Sequence, residues 1–292
     1  MSTQTQSMER DGETIKQAVR ETYAQRVAQP VRVLDPGGGA SAGEGAASGR
    51  QDLVQLARYS QEQLEMLPPD AVEFSFACGN PLGFAGVKAG DVVLDIGSGA
   101  GADTLLASRL VGPEGRVIGL DMTPEMIEKA RLNALAAGAT NVEFRLGDAE
   151  AMPVGTGTVD WVISNCVINL VPDKRKVFAE VQRVLKAGGR VAISDIVTGD
   201  LPAAVRESLD AWAGCVAGAV REHEYLNTMR EAGLSGAQVI ARQRYDLATI
   251  KGFLQDNAPG DFMSQLMAQF GDLADETLVN VWSARIVAEK PR

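Results

Sequence analysis

Residues 92–101, VVLDIGSGAG, decide the fold of this chain. The first five are mostly apolar and rich in Val and Ile, which is typical of a buried strand. Gly97, Gly99 and Gly101 follow, and glycines at this point let the backbone turn sharply from a strand into a helix. The next helix is predicted over residues 103–111. The segment therefore predicts one strand–loop–helix unit of a parallel α/β sheet.

The alternation of strands and helices continues as far as residue 195. Further strands are predicted over 116–121, 142–146, 160–164 and 190–195, with helices over 125–137 and 173–185, the latter ended by Gly188 and Gly189. This order predicts a parallel, Rossmann-like sheet with helices on both faces. Residues 237–245 and 278–290 also have strand character and are expected to lengthen the sheet.

The regions on either side of the sheet differ from it in composition. Helices are predicted over 13–29 and 52–67, and the Gly- and Ala-rich stretch 36–50 between them is too small and polar to bury a core. Helices over 202–220 and 222–232 follow the sheet. Three parts are therefore predicted: a helical N-terminal arm with a flexible segment (1–75), the α/β domain (76–200), and a smaller α+β region that binds substrate or caps the sheet (201–292).

Composition and charge exclude several classes of function. The chain has 292 residues, of which 45% are hydrophobic, so it can bury a sizeable core. Its 38 acidic and 28 basic side chains give a net charge of −10, which argues against nucleic acid or an anionic membrane as a partner. No secretory signal and no apolar stretch of the roughly 20 residues needed to span a membrane is visible. A cytoplasmic protein is expected.

The three cysteines, Cys78, Cys166 and Cys215, come from distant parts of the chain. An odd number is unusual for a disulfide scaffold, so thiols in a reducing compartment are expected. His223 is the single histidine and there is no Cys-x-x-Cys pair, which disfavours a four-ligand zinc site. Cys166 directly follows the fourth predicted strand, where parallel sheets carry active-site loops. These thiols predict a site for a soft ion, although buried cysteines can also simply fill space, Cys215 in particular.

Three aspartates lie at or near the ends of the first three predicted strands. Asp95 lies on the first, Asp121 ends the second, where a carboxylate can bind both hydroxyls of a ribose, and Asp148 follows the third, placed to accept from an exocyclic amine. With glycines at 97, 99 and 101 but without the third glycine of the dinucleotide fingerprint, residues 92–195 resemble the class I S-adenosylmethionine-dependent methyltransferases. Residues 181–190, VQRVLKAGGR, match the stretch before that family's fifth strand. The alternatives are aspartates that only cap helices and turns, and, least favoured, a nicotinamide dehydrogenase.

The sequences around the cysteines narrow the resemblance. The segments CGNP (78–81), SNCVINL (164–170) and GCVAGA (214–219), together with DMTPEM (121–126), are similar to motifs of arsenite methyltransferases, over about residues 59–234. The resemblance implies that three thiolates bind trivalent arsenic: Cys78, Cys166 and Cys215. It also implies S-adenosylmethionine as cofactor, with contacts from Asp95, Gly97, Ser98, Gly99, Gly101, Asp121, Met122, Asp148, Ala149 and Asn165.

The chemistry of arsenic agrees with these residue types. Trivalent arsenic is thiophilic, and three thiolates would leave its lone pair free to attack a sulfonium methyl. No general base is needed to create that nucleophile, so alignment is the main contribution expected of the protein. The expected substrate is arsenite or methylarsenite, possibly as a thiol conjugate, and the expected reductant is an external thiol of the glutathione or thioredoxin type.

Two other functions remain open at this point. A class I C-methyltransferase acting on a quinone-like acceptor would need a base and an apolar cavity, and would be indifferent to the cysteines. A non-catalytic metalloid-binding protein would have no use for the glycine loop and Asp121. Family members commonly carry a further N-terminal cysteine, which this chain lacks, so the number of methylation rounds is left open. A monomer is expected.

Overall fold

The computed structural model of the chain describes residues 12–28, 59–75, 77–199, 218–244 and 281–292. Four predictions fall on other residues and lie outside this part of the chain: the flexible segment 36–50, the first half of the helix over 52–67, nearly all of the helix over 202–220, and Cys215. The division of the chain at residues 75 and 200 stays a prediction.

A seven-stranded sheet forms the centre of the described structure, in the order β3-β2-β1-β4-β5-β7-β6. Its strands are β1 (Val92–Ile96), β2 (Arg116–Asp121), β3 (Val142–Leu146), β4 (Val159–Asn165), β5 (Leu185–Thr198), β6 (Ser235–Arg244) and β7 (Val281–Glu289). Strands β1 to β5 pair in parallel, whereas β7 runs antiparallel to both β5 and β6. The predicted Rossmann-like sheet and its C-terminal extension are confirmed.

Helices cover both faces of this sheet, as predicted. They are α1 (Gly12–Ala28), α2 (Gln61–Glu65), α3 (Pro69–Glu73), α4 (Ala102–Val111), α5 (Pro124–Ala136), α6 (Lys174–Val184) and α7 (Glu222–Glu231). Alternate residues of β1 enter different layers, because side chains alternate across a strand. Leu94 packs in the cluster that contains Phe178 of α6 and Tyr225 of α7, and Val93 packs in the cluster that contains Leu105 of α4.

Helix α6 shows how the local sequence fixes such a helix. The Asp173 side chain caps its start by accepting from the backbone N–H groups of Arg175 and Lys176. Its buried residues, Val177, Phe178, Val181 and Val184, recur at helical spacing and face the sheet. Burying a side chain of this size contributes about 1.5–3 kcal/mol, so this face holds α6 in place. No described helix is long and apolar enough to span a lipid bilayer.

Strand β5 is longer than predicted. It spans Leu185–Thr198 rather than 190–195, and Gly188 and Gly189 lie inside it instead of ending α6. Gly188 has φ +77 and donates its N–H to Lys290 O at 2.9 Å, and Lys290 N–H donates to Gly189 O at 2.8 Å. The expected glycine stop was wrong because the partner that extends the strand lies about 100 positions away, beyond the reach of a local pattern.

Helix α1 packs against the carboxyl end of the sheet. Ile15 and Val19 are buried in a small apolar cluster that also contains Cys78, Cys166 and Leu170. The helix therefore lies directly over the region where the sequence predicts the functional site.

Candidate active site

One pocket opens at the carboxyl ends of β1, β2 and β4. Nine of the ten predicted cofactor contacts line it: Asp95, Gly97, Ser98, Gly99, Asp121, Met122, Asp148, Ala149 and Asn165. Gly101 does not line the pocket. It precedes α4 with φ +95, and a Cβ there would approach the Phe144 ring to 3.0 Å. Gly101 therefore shapes the start of α4 rather than the pocket surface.

The glycine loop adopts a conformation that other residues rarely reach. Gly97 and Gly99 have φ values of +73 and +51, and a Cβ on Gly97 would lie 2.2 Å from a methyl carbon of Val167. The Gly97 and Ser98 N–H groups both donate to Leu120 O, at 2.7 and 2.9 Å. The loop is thus held against the end of β2, with its backbone close to the pocket.

Asp121 closes the same side of the pocket. Its carboxylate accepts from the N–H groups of Gly99 (3.0 Å) and Thr123 (2.9 Å). Burial raises the pKa of Asp121, and these backbone bonds partly oppose that change. Asp121 also lines the pocket, where its carboxylate can accept the hydroxyls of a ligand.

Two buried carboxyl groups make one wall of the pocket acidic. Asp95 is 2% exposed and accepts from Thr104 Oγ1 at 2.7 Å. Asp103, which the sequence analysis missed, is 7% exposed and accepts from Tyr59 OH at 2.7 Å and from Asn165 Nδ2 at 2.9 Å. Burial raises the pKa of both aspartates, and the proximity of Asp103 raises that of Asp95 further. An acidic residue in the first turn after the glycine loop was the signal that could have identified Asp103.

Lys16 of α1 adds a cationic group to the lining of the pocket. Its Nζ atom lies 2.5 Å from Asp148 Oδ2 and 2.7 Å from Glu150 Oε2. The Lys16 side chain is 13% exposed and lines the pocket together with Val19 and Tyr23 of the same helix. The residue predicted to contact an exocyclic amine is therefore paired with a lysine. Sequence reasoning missed this pair because 132 positions separate its members.

Two of the three predicted thiols come together next to this pocket. Cys78 and Cys166 are 9% and 8% exposed, and Cys215 lies outside the described residues. The Cys166 N–H donates to Ser194 O at 2.8 Å, and the Cys78 thiol approaches the same oxygen at 3.5 Å. Cys166 has φ +60, which is uncommon for a residue with a Cβ and is often found at functional sites. Its neighbours Asn165 and Val167 line the pocket, so thiol site and pocket are contiguous.

Asp195 of β5 completes the thiol site and was not predicted. One of its carboxylate oxygens and the Sγ atoms of Cys78 and Cys166 all lie within 4.8 Å of one another. Asp195 is fully buried and accepts from Asn169 Nδ2 (2.8 Å), Ile196 N (2.9 Å) and Tyr225 OH (3.1 Å). Burial raises the pKa of Asp195 to about 7. The two thiols of this group have the soft-ligand chemistry that binds a thiophilic ion.

Comparison with known sequences agrees with this chemistry. Residues 87–233 match the family described as "Methyltransferase domain". The arsenite methyltransferase of Halobacterium salinarum is 43% identical over 244 residues, which cover 81% of this chain and 61% of that protein. The human arsenite methyltransferase is 37% identical over 175 residues, covering 55% of this chain and 47% of the human protein. The chain thus spans about half to three fifths of the length of these relatives.

A solved structure shares both the fold and part of the sequence. The crystal structure of an arsenic(III) S-adenosylmethionine methyltransferase from Chlamydomonas reinhardtii superposes with a TM-score of 0.59 at 28% identity. The match covers 84% of this chain and 73% of that one. A ubiquinone/menaquinone biosynthesis C-methyltransferase from Hahella chejuensis is 40% identical, but over only 37% of this chain and 44% of its own length.

Proposed function

The chain belongs to the methyltransferase domain family, and we propose that it transfers a methyl group from S-adenosylmethionine to trivalent arsenic held by cysteine thiolates. One observation carries the proposal: Cys78, Cys166 and Asp195 converge within 4.8 Å at the edge of the pocket that the predicted cofactor contacts line. The relatives named as arsenite methyltransferases support the same acceptor.

The polar groups of the pocket suit S-adenosylmethionine. Ser98 Oγ is buried there without a hydrogen-bond partner, as expected of a group that awaits a ligand. We propose that Asp121 accepts the ribose hydroxyls, that Asp148 accepts the adenine amine, and that the glycine loop approaches the methionyl part. The acidic wall of Asp95 and Asp103 suits a ligand that carries cationic groups. When bound, the cofactor supplies an electrophilic sulfonium methyl.

The thiol site suits trivalent arsenic. Each cysteine that replaces a hydroxyl of arsenite forms an As–S bond and releases one water, and Cys215 is the proposed third ligand. The arsenic lone pair then forms an As–C bond while the S–CH3 electron pair stays on sulfur, so arsenic goes from trivalent to pentavalent. An external thiol of the glutathione or thioredoxin type is the proposed two-electron reductant that returns it to the trivalent state.

Alignment and exclusion of water are the contributions of the protein. The two thiols are held beside the pocket by the Cys166 backbone, the Cys78 loop and β5. Alignment of the reacting atoms can lower the activation barrier by roughly 7–11 kcal/mol. Helix α1 covers the site with Ile15 and Val19. Because transfer removes the sulfonium charge, a site without water favours the transition state over the ground state.

The direct test is incubation with arsenite, a thiol and methyl-labelled S-adenosylmethionine, followed by chromatographic separation of arsenic species over time. We expect labelled methylarsenicals from the wild-type chain and none from Cys166→Ser, which should still bind the cofactor. Undiminished methylation by Cys166→Ser would refute thiolate-bound arsenic as the acceptor.

The other functions make different predictions in the same assay. A quinone C-methyltransferase would be indifferent to loss of the thiols, and a metalloid-binding protein would bind arsenite without consuming cofactor. The buried convergence of Cys78 and Cys166 disfavours the quinone C-methyltransferase. The adjoining pocket, lined by the glycine loop and Asp121, disfavours the metalloid-binding protein. A cytoplasmic monomer that acts on arsenite or methylarsenite, free or as a thiol conjugate, completes the proposal.

A further inference from the structure

We propose that Tyr59 and Asp103 are positioning residues that act through Asn165 to couple occupation of the cofactor pocket to the placement of the Cys78 thiol. The inference rests on the proposed function, and it adds a physical link between the methyl-donor pocket and the acceptor site. Neither residue is among the predicted site residues, and neither belongs to the group of Cys78, Cys166 and Asp195.

Asn165 clamps the backbone that carries Cys78. Its Oδ1 atom accepts the Cys78 N–H at 3.1 Å, and its Nδ2 atom donates to Gly79 O at 2.6 Å. The two partners belong to Cys78 itself and to the next residue, Gly79. The orientation of the Asn165 amide therefore sets the position of the Cys78 loop. Asn165 is also the last residue of β4 and directly precedes Cys166. One side chain therefore fixes the spacing between the two thiols.

The same amide is bonded to the wall of the cofactor pocket. Besides Gly79 O, Asn165 Nδ2 lies 2.9 Å from Tyr59 OH and 2.9 Å from Asp103 Oδ2. The Tyr59 hydroxyl in turn donates to Asp103 Oδ1 at 2.7 Å. Tyr59 is 8% exposed and Asp103 is 7% exposed, so water can hardly substitute for these bonds.

The network has more acceptors than donors. An amide nitrogen carries two hydrogens, whereas three acceptors surround Asn165 Nδ2: the Gly79 carbonyl, the Tyr59 hydroxyl and the Asp103 carboxylate. When one acceptor takes a smaller share of the two Asn165 hydrogens, the other acceptors take a larger share. The strength of the hydrogen bond from Asn165 to the Cys78 loop therefore depends on which other donors bind the Asp103 carboxylate.

A bound cofactor changes this balance, because Asp103 lines the pocket. A cationic donor such as the ammonium group of the cofactor can satisfy the Asp103 carboxylate and so reduce the competition for the Asn165 hydrogens, of which Gly79 O is already the nearest acceptor at 2.6 Å. The clamp on the Cys78 loop then strengthens, which favours the arsenic-binding arrangement of the thiols. By linkage, arsenic binding must favour cofactor binding by the same factor.

The experiment measures arsenite affinity of the full chain by equilibrium dialysis with and without saturating S-adenosylhomocysteine, which permits no methyl transfer. The ratio of the two dissociation constants is the coupling factor. In the wild-type chain we expect arsenite to bind about 5-fold or more tightly when the pocket is filled, the lower end of typical couplings. Tyr59→Phe should still bind both ligands, with a coupling factor close to one.

Tyr225→Phe is the matched control, because it removes another buried tyrosine hydroxyl that donates to an aspartate, here Asp195 on the thiol side. It should keep the wild-type coupling factor even if arsenite affinity changes. Asp103→Asn is the second test variant and should lower the coupling factor as Tyr59→Phe does.

Three outcomes would overturn the inference. One is a wild-type coupling factor of one. Another is a coupling factor that is unchanged in Tyr59→Phe and Asp103→Asn. If arsenite affinity with and without S-adenosylhomocysteine fell equally, the role of these residues would be purely structural. The third is a wild-type chain that does not bind arsenite at all, which would remove the proposed function as well. Arsenite binding without coupling would leave the proposed function intact.

Discussion

The cofactor pocket and the thiol site lie side by side but are built in different ways. One side of the pocket is formed by the carboxyl ends of the consecutive strands β1 and β2, so Asp95, the glycine loop and Asp121 come from one short stretch of sequence. The thiol site takes Cys78 from a loop before β1, Cys166 from the end of β4 and Asp195 from β5. The glycine-loop side of the pocket is therefore determined by local sequence, whereas the thiol site exists only in the assembled sheet. Substitutions should separate the two.

Cys78→Ser should have the largest effect. A serine hydroxyl is a hard, weakly acidic ligand that does not replace a thiolate on arsenic, so we expect arsenite methylation to fall by at least about 100-fold. Affinity for S-adenosylmethionine, measured calorimetrically, should stay within about 2-fold, because the pocket does not use this thiol. A parallel loss of cofactor binding would mean that the two sites are not separable.

Gly97→Ala should produce the reverse pattern. The new Cβ would lie 2.2 Å from Val167 and the backbone would keep φ +73, so strain and overpacking together cost about 2–5 kcal/mol. Cofactor affinity should fall by more than 10-fold. Gly138→Ala is the matched control, since it has φ +64 but no atom within 4 Å of the new Cβ, and should cost only about 1–2 kcal/mol of stability without changing cofactor affinity. Equal effects of the two variants would contradict the close approach at Gly97.

Asp195→Asn should change how stability depends on pH. The folded-state pKa of Asp195 is raised to about 7, so between about pH 4 and pH 7 the folded chain keeps a proton that the unfolded chain has released. The contribution of Asp195 to the unfolding free energy is fully present below about pH 4 and is lost as pH rises through the folded-state pKa of about 7. For the wild-type chain this lowers the unfolding free energy by about 2–3 kcal/mol between pH 5 and pH 8.

Asparagine can keep the geometry, with its oxygen facing Asn169 and Ile196 and its amide facing the Tyr225 hydroxyl. Urea denaturation at pH 5 and pH 8 should therefore show a smaller pH difference in Asp195→Asn than in the wild-type chain. An identical difference in both would show that Asp195 does not titrate in this range.

Ser194→Ala should have the smallest effect, and a favourable one. Ser194 Oγ is buried without a hydrogen-bond partner, so its removal should raise the unfolding free energy by up to about 1 kcal/mol. Ser283→Ala, on the neighbouring strand, should instead lower it by about 1 kcal/mol, because the Ser283 hydroxyl donates to Cys78 O at 2.8 Å. Chemical denaturation of both variants checks the opposite signs.

The same division explains what could be predicted from the sequence. Strands β1 to β4 and the pocket residues follow from apolar runs, glycine spacing and aspartates at strand ends, all of which are local signals. The extent of β5 was missed because it depends on Lys290, and Asp195 was missed because its importance arises only from the approach of two distant loops. Lys16 and Tyr59 belong to the same class, since they act on residues 132 and 44 positions away, respectively.

The Ser194 carbonyl has a consequence for how this site tolerates mutation. The Cys166 N–H and the Cys78 thiol both approach this one backbone oxygen. A backbone carbonyl is present whatever residue is encoded, so exchange of Ser194 for another small residue should preserve the spacing of the thiols. The size of the side chain at position 194 is limited, because Ser194 packs closely against Gly79. A Cβ on Gly79 would lie 2.6 Å from Ser194 Oγ. During evolution of this sequence, small residues should therefore replace one another at position 194, and large residues should not be accepted there.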